Sequence, residues 1–157
     1  MPSLDAVPDL DSIRRASERL APYIHRTPLL SSRTLDGLCG GSVVLKAENL
    51  QKVGAFKIRG ALNAMLQLDG VAKERGVVTH SSGNHAQALA RAGQILGVPV
   101  CVVMPRTAPA IKRAATEGYG ATVVPCEPTL ADREATVERL IAEHGYALVH
   151  PFDNWHV

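Results

Sequence analysis

From residue 57 to residue 150, short apolar segments alternate with longer segments of helical periodicity, and this alternation constrains the fold more than any other feature. Strands are predicted at about 76–80, 98–104, 121–125 and 147–150. Helices are predicted at about 57–68, 84–96, 109–117 and 129–144, with glycines at or near their ends. Apolar strands joined through helices form parallel sheets. The sequence therefore predicts an α/β fold, a parallel sheet with helices on both faces.

The residues before this region follow a less regular pattern. We expect a helix at about 9–21, with Asp9 or Asp11 as its N-cap. Ile13, Ala16 and Leu20 are predicted to lie on one face of this helix. A short helix at 32–38, ended by glycines, and a strand at 42–48 follow.

Composition excludes several classes of protein. Hydrophobic residues make up 46% of the 157 residues and charged residues 20%, which is typical of a soluble globular protein. A net charge of +2 does not favour binding to nucleic acid or to an anionic membrane. No apolar run approaches the roughly 20 residues that span a bilayer. The N-terminus also lacks the features of a secretory signal, so we expect a cytoplasmic protein.

Several common functional motifs are missing from the sequence. It contains no GxGxxG dinucleotide motif, no GxxxxGK[ST] phosphate loop and no GxSxG nucleophile elbow. The three cysteines are widely spaced and are expected to be reduced thiols. The histidines do not have metal-ligand spacing, so no metal site is predicted, and His85 is expected at a helix surface or in a cap.

Lys57 lies between Phe56 and Ile58 at the predicted start of a helix. Apolar surroundings lower the pKa of a lysine, as Schiff-base chemistry requires. Small residues at positions 54, 55, 60 and 61 leave room for a flat ligand. The alternative is that Lys57 is an ordinary solvated lysine, and the residues alone leave both interpretations open.

A second segment, HSSGNHAQA at 80–88, connects a predicted strand to a predicted helix. Ligands of parallel sheets bind beyond the carboxyl ends of the strands. The free N–H groups of a helix N-terminus bind anions there, and Gly83 permits close approach. Alternatively, Ser82 or Asn84 is simply an N-cap.

Together these segments resemble the fold type II pyridoxal-phosphate enzymes, specifically the threonine/serine dehydratase and serine racemase branch. The resemblance lies in ENLQKVGAFKIRGALNA at 48–64 and THSSGNHAQALA at 79–90. VVMPRTAPAIKRAATEGYGATVV at 102–124 and HRTPLLSS at 25–32 extend it. It implies a tryptophan synthase β-like fold, incomplete in this chain, and the cofactor pyridoxal 5'-phosphate.

The resemblance also implies a role for individual residues. Lys57 would hold the cofactor as an imine and then act as a base at Cα of an amino-acid substrate, while Phe56 would flank the cofactor ring. Asn84 would bind the 3′-oxygen of the cofactor. The residues implied in binding the substrate carboxylate are Ser81, Ser82, Gly83, Asn84 and His85. In racemases, a serine at the position of Ser82 can return a proton to the opposite face of the substrate.

Three functions remain open at this point. The first is dehydration and deamination of L-threonine or L-serine to a 2-oxo acid and ammonia by a longer parent enzyme. The second is serine racemisation, and the third is a non-catalytic fragment. In nucleotide-responsive racemases, residues matching Lys52 and Gln87 bind ATP, but Val53 replaces a frequent threonine.

The resemblance further implies a division of the chain. Residues 1–52 would start the large domain, 53–150 would form most of a small α/β domain, and 151–157 would return to the large domain. The glycine-rich loop for the cofactor phosphate and the metal-binding carboxylates of many members are expected outside this chain. A homo-oligomer is expected for the full-length parent.

Overall fold

The computed structural model describes residues 7–157, and strands alternate with helices from residue 77 to residue 148, as predicted. Its helices are α1 Leu10–Leu20, α2 Arg33–Cys39, α3 Lys57–Leu66, α4 Gly70–Arg75, α5 Asn84–Leu96, α6 Ala110–Gly118 and α7 Leu130–His144. Its strands are β1 Leu29–Ser31, β2 Val44–Lys46, β3 Val77–His80, β4 Val100–Pro105, β5 Thr122–Cys126 and β6 Ala147–Leu148. Within this range, none of the helices is both long and apolar enough to cross a bilayer.

The central sheet has four strands in the order β5-β4-β3-β6, and every neighbouring pair is parallel. Val78 lies opposite Cys101, and Val103 lies opposite Val124. Strands β1 and β2 form a separate antiparallel pair. The parallel sheet confirms the predicted α/β class, and the carboxyl ends of its strands all meet at one edge.

Successive residues of the central strands contribute to two different cores, because side chains alternate across a sheet. The larger core lies between the sheet and helices α3 and α5, and includes Ile58, Leu62, Leu89, Val77, Val102 and Met104. The smaller core lies under α7 and includes Val78, Cys101, Val103, Cys126, Val137 and Leu140. Helices therefore cover both faces, as predicted.

The structure corrects the predicted strand at 42–48 and adds a helix that was not predicted. Strand β2 ends at Lys46, and Glu48–Leu50 forms a 3₁₀ turn because the N–H of Leu50 donates to the carbonyl of Ala47 at 3.1 Å. Helix α4 is short, and Asp69 caps it by accepting from the N–H of Ala72 at 2.8 Å. The signal for α4 was this acidic cap.

Helix α1 follows its prediction at the N-terminus but not along its whole face. Asp9 is the N-cap and accepts from the N–H of Ser12 at 2.7 Å. Leu20 is buried, whereas Ile13 is 57% exposed, so only the end of the predicted face packs on α3. Residues 1–6, part of the predicted 1–52 unit, lie outside the described residues, and the division into domains stays a prediction.

Candidate active site

The segment before Lys57 is a tight loop fixed by Gln51. The side chain of Gln51 is buried, accepts from the N–H groups of His25 and Lys52 at 2.9 and 3.0 Å, and donates to the carbonyl of His25 at 2.7 Å. Val53 then takes the left-handed conformation at φ 57°, which is unusual for a β-branched residue. These constraints fix the path along which the chain enters α3.

Lys57 is the first residue of α3, and its amine lies beside the segment that follows β6. Its Nζ donates to the carbonyl oxygen of Pro151 at 2.8 Å and lies 5.7 Å from the centre of the Phe56 ring. Phe56 itself is 58% exposed, so much of its surface is accessible. The amine is thus held at the carboxyl edge of the sheet with an exposed aromatic ring next to it.

An ion pair that sequence analysis missed holds the first turn of α3. Arg59 donates to both carboxylate oxygens of Glu48, at 2.8 and 2.7 Å, and Thr27 donates to the same carboxylate at 2.5 Å. These hydrogen bonds from Arg59 are the main reason why the pKa of Glu48 is lowered to about 2. Glu48 and Arg59 are eleven positions apart and lie on different elements. Their pairing produces no periodic pattern in the sequence, so only the fold reveals it.

The serine turn, residues 81–83, directly follows β3. It leads into α5, a helix that no side chain caps. The N–H of Ser81 extends the sheet by donating to the carbonyl of Val103 at 3.1 Å, and the hydroxyl of Ser81 accepts from the N–H of Gly83 at 3.2 Å. The N-cap of α5 is Gly83, and no side chain caps this helix. The alternative interpretation of Ser82 or Asn84 as an N-cap is therefore wrong.

The uncapped start of α5 leaves hydrogen-bond donors free. Within residues 7–157, no acceptor pairs with the N–H groups of Asn84, His85 and Ala86, and the first bonded group is that of Gln87. Free N–H groups and the positive end of the helix dipole together favour a bound anion. Ser81 and Ser82 are half-buried beside them.

His85 is not the surface or capping residue that the sequence analysis expected. Only 3% of it is exposed, its Nε2 lies 3.3 Å from the carbonyl oxygen of Val149, and its Nδ1 is buried without a partner among the described residues. Burial lowers its pKa to about 4, and the nearby charge of Lys57 contributes to the lowering. The ring is therefore neutral at pH 7.

Two further histidines lie at the same edge. The rings of His80 and His150 are edge-to-face with centroids 5.2 Å apart, and Nδ1 of His150 accepts from the N–H of Asp153 at 2.9 Å. Burial lowers the pKa of His80, and His150 lowers it further. No group of three or more possible ligands among the described residues could hold a metal ion.

The structure thus brings Lys57, Phe56 and the serine turn to one edge of the sheet. Lys57 contacts Pro151 and His85 contacts Val149, both in the segment that follows β6, and β6 is the neighbour of β3 in the sheet. The open Phe56 ring, the amine and the orphaned buried Nδ1 of His85 fit the aldehyde-bearing end of the cofactor that the resemblance implies. The free N–H groups at the start of α5 suit a carboxylate that lies next to the aldehyde-bearing end of the cofactor.

Comparison with known proteins finds relatives over most of this chain. The profile of the family described as "Pyridoxal-phosphate dependent enzyme" matches residues 20–157. Serine racemase of Dictyostelium discoideum is 49% identical over 94% of this chain and 46% of its own length. Its crystal structure superposes with a TM-score of 0.91, covering 96% of this chain and 49% of that one.

Two other relatives are named as lyases or deaminases. L-threo-3-hydroxyaspartate ammonia-lyase of Saccharomyces cerevisiae is 46% identical over 94% of this chain and 45% of its own length. The crystal structure of a T.th. threonine deaminase is 50% identical with a TM-score of 0.84, covering 94% of this chain and 46% of that one. The chain spans about half the length of the curated relatives it matches.

Proposed function

Because this chain belongs to the family of pyridoxal-phosphate-dependent enzymes, we propose that, within a longer enzyme, it supplies the catalytic lysine for amino-acid dehydration and deamination. The substrate is L-threonine or L-serine and the products are a 2-oxo acid and ammonia. The observation that carries the proposal is the position of the Lys57 amine, held 2.8 Å from the carbonyl of Pro151 at the sheet edge where α5 presents free N–H groups.

Each residue of the site has a proposed task. When bound, pyridoxal 5'-phosphate supplies an electron sink for the negative charge that develops at Cα of the substrate. Lys57 holds the cofactor through Nζ and, once the amino acid has displaced it, removes the proton from Cα. Phe56 flanks the ring, and Asn84 binds the 3′-oxygen of the cofactor. Loss of the 3-hydroxyl as water, followed by hydrolysis, gives the products.

The substrate carboxylate is assigned to the start of α5. Its binding residues are Ser81, Ser82 and the backbone of Gly83, Asn84 and His85. Two hydroxyl groups and the free N–H groups of the helix offer several donors to one anion, at the positive end of a helix dipole. Because His85 is neutral, it adds no positive charge next to Lys57.

Serine racemisation is the second candidate, favoured by the name of the Dictyostelium relative. For this reaction Ser82 would return a proton to the face of Cα opposite Lys57. Ser82 is half-buried and does not cap α5, so its hydroxyl is available for such a task. The substrates in the relatives' names share an amino-acid core but differ at Cβ.

The test uses a full-length parent enzyme loaded with pyridoxal 5'-phosphate. We expect L-threonine or L-serine to give 2-oxo acid and ammonia in equal amounts, and Lys57→Ala to lower kcat/KM on the order of 1,000-fold or more. Lys112→Ala on α6, outside the site, is the matched control. Formation of D-serine alone, without ammonia, would reject the dehydratase in favour of the racemase.

A further inference from the structure

The helix that carries Lys57 also holds the segment that binds the Lys57 amine. In this segment, residues 150–157, the carbonyl oxygen of Pro151 accepts a hydrogen bond from Nζ of Lys57 at 2.8 Å. Further along it, the carbonyl oxygen of His156 accepts from Nδ2 of Asn63 at 2.9 Å. Asn63 lies almost two turns after Lys57 on α3. Segment 150–157 is thus tied to α3 both next to the amine and near its far end.

Arg19 of α1 fixes the direction in which the Asn63 amide points. Its Nη1 donates to Oδ1 of Asn63. A guanidinium has no acceptor, so only the amide oxygen can face it, and the amide nitrogen is left to donate to the carbonyl of His156. Leu20, the neighbour of Arg19, is buried in the larger core and holds this end of α1 in place. Two helices therefore determine the hydrogen bond to segment 150–157.

Gly60 allows the segment to lie directly on α3. A Cβ at this position would lie 2.0 Å from the carbonyl oxygen of Val157 and 2.9 Å from its Cα. Because backbone occupies this space, a side chain at position 60 would push segment 150–157 away from the helix. Glycine inside a helix is destabilising relative to alanine, and the close approach of the segment accounts for it here. The space beside Gly60 is thus taken by the segment rather than by a flat ligand.

Side chains of the segment fix its own path between these contacts. Nδ1 of His150 accepts from the N–H of Asp153 at 2.9 Å, and Oδ1 of Asn154 accepts from the N–H of His156 at 2.8 Å. Because both turns are closed by hydrogen bonds, a displacement of the far end of the segment also displaces the carbonyl of Pro151. The Asn63 amide is thereby connected to the carbonyl that binds the lysine amine.

We propose that Asn63 is a positioning residue for the reaction: through segment 150–157 it keeps the carbonyl of Pro151 where it binds and orients the Lys57 amine. The inference rests on the proposed function, because it takes Lys57 to be the residue that removes the proton from Cα. Once Nζ has taken up that proton, the carbonyl of Pro151 accepts one of its N–H groups. The substrate carboxylate is assigned to the start of α5, so Asn63 acts on turnover and not on substrate binding.

The test measures kcat and KM for L-threonine or L-serine in the full-length, cofactor-loaded parent enzyme. Asn63→Asp keeps the size of the side chain and an oxygen for Arg19, but loses the donor to the carbonyl of His156. We expect it to lower kcat about 10- to 100-fold, because a small misplacement of a reacting group has an effect of this order, and to change KM less than about threefold. Gly60→Ala, which displaces the same segment and leaves Asn63 intact, should lower kcat without raising KM in the same way.

Two variants serve as matched controls. Gln67→Ala is the control for Asn63→Asp, because Gln67 is exposed, lies at the end of α3 and donates to a carbonyl of that same helix. Gly70→Ala is the control for Gly60→Ala, since nothing lies within 4 Å of an added Cβ there. Both should leave kcat and KM unchanged. The proposal is overturned if Asn63→Asp leaves kcat unchanged, or if it raises KM by the same factor as it lowers kcat.

The rate of imine formation separates this proposal from the proposed function. Mixing the parent enzyme, freed of its cofactor, with pyridoxal 5'-phosphate and following the visible absorbance reports how fast the Lys57 amine reacts, without any substrate. We expect Asn63→Asp to slow imine formation about 10-fold and Gln67→Ala to leave it unchanged. If neither amino acid is turned over but this difference is found, the proposed function fails and the role of Asn63 stands. If turnover occurs and Asn63→Asp alters neither kcat nor imine formation, the proposed function stands and the role of Asn63 is overturned.

Discussion

At the scale of single residues, Glu48 and Arg59 form a bidentate ion pair that ties the entry of α3 to the segment after β2. The pair is partly buried, with 17% of the Glu48 side chain exposed. We expect Glu48→Gln to lower the free energy of unfolding by about 1–3 kcal/mol, because charge-assisted hydrogen bonds to Arg59 are lost. Denaturant unfolding measures the change.

The effect of this substitution should depend on pH. The pKa of Glu48 is lowered from 4.5 to about 2, so its contribution is fully present above pH 4.5 and is lost as the pH falls toward 2. The difference between wild type and Glu48→Gln should shrink over that range. Glu143→Gln, which breaks an exposed pair with Arg139, is the control and should cost under about 1 kcal/mol. A pH-independent difference would contradict the assignment.

His85 gives a second prediction at this scale. Its pKa is lowered to about 4 by burial, whereas an unfolded histidine titrates near 6.5. The unfolded state therefore takes up a proton first, and the free energy of unfolding falls as the pH drops from about 6.5 to 4. His85→Asn should flatten this part of the pH profile. A pH profile of His85→Asn that keeps the wild-type slope between about pH 6.5 and 4 would refute the prediction.

At the scale of elements, the contact between α5 and β4 depends on Gly93. A Cβ at this position would lie 2.7 Å from the carbonyl oxygen of Val98 and would also meet the side chain of Val100. Gly93→Ala should destabilise the protein by about 1–3 kcal/mol, because backbone has to move to make room. Because α5 also carries the free N–H groups, the variant should raise the KM for L-serine in the parent enzyme.

Gly37→Ala is the matched control for that prediction. Gly37 lies inside α2, its backbone is not left-handed, and nothing lies within 4 Å of an added Cβ. The substitution should stabilise the protein by about 0.5–1 kcal/mol, since alanine loses less conformational freedom in a helix than glycine does. Thermal unfolding of the two variants measures both changes, a loss of stability in Gly93→Ala and a gain in Gly37→Ala. Equal changes would contradict the packing explanation.

At the scale of the whole molecule, the chain spans about half the length of its curated relatives. We predict that the 157-residue chain alone, incubated with pyridoxal 5'-phosphate, shows little of the visible absorbance of a lysine imine. The reason is that the resemblance assigns the binding of the cofactor phosphate to residues outside this chain, so charge-assisted hydrogen bonds to the phosphate are lost.

Borohydride trapping followed by mass measurement checks this prediction, and Lys57→Ala is the control for the site of attachment. A strong band that is trapped on the wild-type chain and lost in Lys57→Ala would show that these residues hold the cofactor without the phosphate loop. A longer parent that contains the chain should show the band in full. The same substitution should remove it there.

The sequence by itself determined the α/β class and the two segments that form the candidate site. Strand and helix periodicity depend on the spacing of nearby residues, so α5 was predicted with its observed bounds. The motifs quoted from the sequence indicated the family to which the chain belongs. Only the tertiary structure decided which residues surround Lys57. The burial of His85 and the Glu48–Arg59 pair each depend on contacts between different elements of the fold, and the linear sequence does not encode these contacts as a periodic pattern.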